Sequence, residues 1–152
     1  MEEVLGGIES LSLAKWGFGL RGYAIYVTKE RIIGAKMKER SIRLVRFIFG
    51  SKSRAPINVE WINENGFISS AKEEKAERII SDVEKRKDFE AKKETIVSIV
   101  LEKPKIRSPG FLEIKTVSGK LSVLISADAI KDFNHLKKIL KEFHPHVLKI
   151  EE

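Results

Sequence analysis

Between Gly22 and Lys36 two apolar runs flank the charged pair Lys29-Glu30, and no other stretch so restricts what this chain can fold into. In the first run Tyr23, Ile25 and Val27 fall on one side of an extended backbone and Ala24, Tyr26 and Thr28 on the other, so it reads as a strand covered on both faces. Lys29-Glu30 makes the turn of a β-hairpin, and residues 31–36 return as its partner, where the small Gly34 and Ala35 leave room for a close neighbour.

Four further segments carry a pattern. Residues 5–13 alternate loosely and enter a first strand, and residues 15–22 follow as a glycine-rich loop. Residues 95–102 alternate apolar on both sides, the mark of a strand buried on two faces, and Pro104, Pro109 and Gly110 bracket the loop after it. A second hairpin spans 111–126, with Leu112, Ile114 and Thr116 facing Leu121, Val123 and Ile125. Ile130, Phe133, Leu136, Ile139, Leu140 and Phe143 then form the stripe of a terminal helix, capped near Ser126 or Asp128 and stopped by Pro145.

The segment between the hairpins differs. Residues 42–49 read as a short helix whose wide apolar arc either lies buried with Arg43 and Arg46 at the rim or faces a partner or membrane, and residues 57–62 as a short strand. Ala76, Ile79, Ile80 and Val83 repeat at helical spacing, predicting a helix from Ser70 to about Lys87 or Asp88. Its stripe is narrow, and with the apolar 42–49 it points to completion against a second subunit, a homodimer.

Gly22-Tyr-Ala-Ile-Tyr-Val-Thr-Lys-Glu-Arg-Ile-Ile-Gly34 resembles the "G-x-L-x-V-T-x-x-R-L-I-G" hairpin of the pleckstrin-homology-like superfamily, particularly its GRAM and microbial branches. The resemblance implies an α+β fold, a bent antiparallel β-barrel capped by the C-terminal helix. The later strand, hairpin and helix match that scaffold in order, over one domain, 1–152, with residues 39–93 as a helical insertion between early and late strands. The chain most resembles uncharacterised archaeal proteins in which an element like Lys87-Asp88-Phe89-Glu90 leads into a strand. A fold of this kind does not bring an activity with it.

Composition narrows the chemistry. The chain has no cysteine, which excludes disulfides, thiolate nucleophiles and sulfur ligands. Charged residues reach 34%, a Lys- and Glu-rich balance that suits a thermophilic source. No apolar run approaches the ~20 residues that cross a bilayer and no secretion signal is evident, so a cytoplasmic location is expected. His144-Pro145-His146 has the wrong spacing for a helical metal pair, and the glycines of 17–22 precede a strand where a dinucleotide fingerprint needs a helix. No cofactor, metal or catalytic group is expected.

Of the net charge of +7, residues 10–59 alone carry eleven basic groups against two acidic ones. The expectation is a non-catalytic binding or adaptor module that recognises a protein partner or an anionic membrane surface. Its surface gathers Lys15, Arg21, Lys36, Lys38, Arg43, Arg46, Lys52 and Arg54, with Trp16 and Phe18 either inserting at the interface or folding back as core plugs. The alternative is nucleic-acid binding through the same basic segment.

Overall fold

The computed structural model describes residues 3–16, 22–36, 56–57 and 73–152. Among the described residues, ten strands and two helices run in the order β1 (Val4–Ser10), β2 (Leu13–Lys15), β3 (Tyr23–Thr28), β4 (Arg31–Lys36), β5 (Pro56–Ile57), α1 (Glu73–Arg86), β6 (Lys87–Lys92), β7 (Ile96–Glu102), β8 (Gly110–Thr116), β9 (Lys120–Ile125), α2 (Ile130–Phe143) and β10 (Leu148–Glu151). The strands divide into two five-stranded sheets, ordered β5-β1-β3-β4-β6 and β10-β7-β8-β9-β2.

The bent barrel implied by the resemblance is not formed. Among the described residues each sheet ends on two open edges, and no ladder joins one sheet to the other. A barrel wall needs strands that bend continuously from sheet to sheet; here, of the three crossings, the two that lie wholly within the described residues are broken by turns. At Leu11-Ser12 a turn separates β1 from β2, fixed by the Ser12 amide donating to Ser10 Oγ at 3.0 Å. At Lys93–Thr95 a turn of 3-10 helix separates β6 from β7. The fold is an open two-sheet α+β architecture, and the PH-like and GRAM-like description falls with the barrel.

Both hairpins form where the sequence places them, with Ala24 opposite Ala35 in the first and Leu112 opposite Val123 in the second. The first sheet is covered on both sides, which explains why every residue of β1 and β3 is buried. One face meets the second sheet and α2 in the main core, where Ile25, Ile32, Leu101, Leu112 and Val123 surround Phe133, Leu136 and Phe143. The other face meets α1 through Tyr26, Ile33, Ala35 and Val83, with Ile80 packed alongside. Burying each such side chain stabilises the fold by about 1.5–3 kcal/mol.

Several elements depart from expectation. Residues 39–93 supply two edge strands as well as a helix: Pro56–Ile57 pairs with β1, and Lys87–Lys92 pairs with β4. The helix from this region therefore ends at Arg86, and Lys87-Asp88-Phe89-Glu90 is itself strand. β7 is buried on one side, with Ile96, Ile99 and Leu101 inward and Val97 59% exposed, because nothing described packs on its other face. No side chain caps α2: the preceding Asp128 takes a left-handed φ of 69°, which aspartate tolerates better than most residues. β10 joins β7 in parallel after Pro145 stops α2. The expected helix at 42–49 lies outside the described residues.

Candidate functional site

Of the ten residues gathered by sequence, Phe18, Arg21, Lys38, Arg43, Arg46, Lys52 and Arg54 lie outside the described residues. Lys15 turns toward the first sheet and binds the Asp88 carboxylate at 3.3 Å. The Tyr23 hydroxyl donates to the same Asp88 oxygen at 2.5 Å, and Tyr23 sits opposite Lys36 in the β3–β4 ladder. Lys15 and Lys36 thus lie toward one end of the first sheet, where the Lys36 carbonyl accepts from Arg86.

Trp16 goes the other way. Its amide donates to the Ser122 carbonyl at 2.8 Å, continuing the β2–β9 ladder by one residue, so its side chain points to the opposite side from that of Lys15. It is 70% exposed and does not plug the core.

The face that Trp16 borders follows from the pleat. Leu13, Ile99, Leu101, Leu112, Ile114, Leu121, Val123 and Ile125 point into the core, so their strand neighbours point out. Ladder pairing sets those neighbours in rows. One runs Ala14, Leu124, Phe111, Glu102 and Glu151; the next runs from Trp16 through Ser122, Glu113 and Val100 to Lys149. Ala14, Leu124, Phe111 and Val100 are half-buried, and α2 lies on the inner side of the sheet. An apolar patch with an exposed indole at its corner results. Charges of both signs rim it, with Glu113 paired to Lys115 at 3.6 Å and Lys149 to Glu151 at 3.4 Å.

The buried ionisable groups lie elsewhere and hold the fold. Glu9, 2% exposed, accepts the Tyr26 hydroxyl at 2.9 Å and Arg86 Nη2 at 2.9 Å. Burial, and then the Glu9 charge, push the Tyr26 phenol well above its ordinary value, so it remains a donor. Asp132 accepts from Ser10 Oγ at 2.7 Å, and its burial raises the carboxyl pKa. His135 Nε2 meets the Gly7 carbonyl at 3.1 Å, and burial lowers its pKa. His144 leans edge-on against Phe143, and desolvation and then Lys93 lower its pKa.

Among the described residues no three His, Asp or Glu side chains converge as a metal site, and no helix is long and apolar enough to cross a membrane. The outer-face residues Phe111, Leu124 and Val100 were not singled out in the sequence as a surface. Phe111 and Leu124 turn outward by the same alternation that turns Leu112, Ile114, Leu121 and Val123 inward, and Val100 by its register with Glu113. Compared with known proteins, the chain matches no family model, no curated protein and no solved structure.

Proposed function

We propose that this protein is a non-catalytic docking module whose second sheet receives a protein partner on its outer face. The observation that carries this reading is the 70% exposed Trp16 at the corner of a face that also holds the half-buried Leu124, Phe111 and Val100 and that neither described helix covers. Tryptophan concentrates binding energy at protein interfaces, where it anchors an apolar centre inside a polar rim. The rim favours a protein over a lipid surface, because Glu113 and Glu151 are offset by Lys115 and Lys149 while Glu102 adds a carboxylate, so the face carries no cationic excess to draw anionic headgroups. The non-catalytic part of the reading rests on Glu9, Asp88 and Asp132, each engaged in ties between elements of the fold.

A photo-crosslinking residue placed at position 16 or 124, in cells that express the protein, tests the reading. Discrete adducts of defined mass are expected from both positions and none from position 131, on the exposed start of α2. Adducts absent from 16 and 124, or equally strong from 131, would exclude the face.

A further inference from the structure

The loop joining β7 to β8 presents an isoleucine to water between cations. Residues 105–109 are all exposed, and Ile106, at 83%, is more exposed than any other large apolar residue described. An exposed isoleucine gains nothing from packing within the chain, and here its position is built rigidly. The Lys105 amide donates to the Ser108 carbonyl at 2.9 Å, and the Ser108 amide donates back at 3.2 Å, which leaves Ile106-Arg107 as the two residues at the tip of a tight turn. Pro104 is buried at the base, and the Lys103 amide donates to the Glu151 carbonyl at 2.8 Å, tying the loop to β10. Gly110 closes the base so tightly that a Cβ there would lie 2.2 Å from the Glu102 carbonyl oxygen.

Charge surrounds the tip. Among the described residues Lys103, Lys105 and Arg107 make no ion pair, although other surface cations do. A cavity of about 600 Å³ opens between these side chains and Asp128, Ile130 and Glu152. Lys137 holds Glu152 at 2.5 Å, and Glu152 also feels the Lys103 charge, so two bordering carboxylates, one of them already paired, face three cations and the loop keeps a net positive charge.

We propose that this loop docks on an anionic lipid surface, with Ile106 entering the acyl boundary and Lys103, Lys105 and Arg107 meeting headgroup phosphates. Charge complementarity sets the sign of the partner, and the apolar tip sets its kind. Nucleic acid would offer phosphate but no apolar phase for Ile106, and the loop has no aromatic ring for base stacking. A turn already closed by paired backbone bonds loses little freedom on insertion. The site lies apart from the Trp16 face and stands independently of it.

Co-sedimentation with vesicles of phosphatidylglycerol and phosphatidylcholine, against phosphatidylcholine alone, is the test. Binding only to the anionic vesicles is expected. Each cation removed weakens it about fivefold, so Lys105→Glu with Arg107→Glu abolishes it, and Ile106→Ser weakens it about tenfold. Ile106→Trp reports insertion directly, through a blue shift of its emission on anionic vesicles, read in a background in which both native tryptophans, Trp16 and Trp61, are changed to Phe. All three changes leave the unfolding midpoint unmoved, since the side chains are exposed. Trp16→Ser, which tests the protein-docking face, retains vesicle binding. The proposal is overturned by equal binding to both vesicle types, or by an equal loss from charge reversal at Lys92 and Lys138, which would mean diffuse attraction. It is also overturned by full competition from inorganic phosphate without a blue shift, or by tighter binding to a single-stranded oligonucleotide through the same cations.

Discussion

Arg86, in the last turn of α1, reaches across to β1 and donates to the Glu9 carboxylate at 2.9 Å, while that carboxylate also accepts the Tyr26 hydroxyl from β3. One buried charge therefore fastens a helix to two strands of the first sheet. Removing the cation should cost more than removing the pair. Arg86→Met is expected to destabilise the protein by about 2 kcal/mol, toward the lower side for a buried pair because Arg86 is partly exposed, and Glu9→Met with Arg86→Met should recover part of that loss. Urea unfolding of the three proteins measures both; a single substitution below about 0.5 kcal/mol would show that the tie is idle.

Gly34 and Tyr23 are coupled by space. A Cβ at Gly34 would lie 2.3 Å from the Tyr23 hydroxyl, so Gly34→Ala should destabilise by about 1–3 kcal/mol. Tyr23→Phe removes the nearest atom, and in that background the alanine should cost at least about 1 kcal/mol less. Additive effects in thermal unfolding would place the contact elsewhere.

Two neighbours on α2 give opposite pH dependences. Burial depresses the His135 pKa below 6.5, so its contribution is whole above that value and is lost as pH falls through the depressed one. Burial raises the Asp132 pKa above 3.8, so its contribution is whole below that value and is lost as pH rises through the raised one. His135→Gln should therefore lose less stability than the native protein on acidification from neutrality, and Asp132→Asn should lose more. Unfolding midpoints between neutral pH and pH 4 read the two slopes, and parallel slopes in all three proteins would refute the assignment.

Trp16 should be dispensable for folding. Trp16→Ser is expected to shift stability by less than about 0.5 kcal/mol, the usual range for exposed sites, whereas Leu136→Ala in the core should cost about 2–5 kcal/mol. A large loss at Trp16 would mean that the indole packs within the chain.

What the sequence disclosed was local. The two hairpins announce themselves through a turn between period-two runs, and α2 through apolar residues three and four apart, because neighbours in sequence decide both patterns. Sheet closure is not local. Burial of β3 on both faces suits a barrel wall, but it arises from α1 on one side and the second sheet with α2 on the other. Lys87–Lys92 is too charged to read as strand, and it is strand because β4 offers it an edge. At the candidate site Trp16 was legible as an aromatic among cations, yet one residue of β pleat sends it away from Lys15. The loop of 103–109 reads as prolines and a glycine, and its protruding isoleucine emerges only once Lys105 and Ser108 are paired.

The turn at Leu11-Ser12 makes a single run of backbone the shared spine of both sheets, since β1 lies second from the edge of one and β2 at the margin of the other. Neither leaf can peel away alone without dragging this spine from its other partners. Slow amide exchange at Ile8 and at Leu13 should therefore report the same rare opening event, and the molecule should come apart in one step.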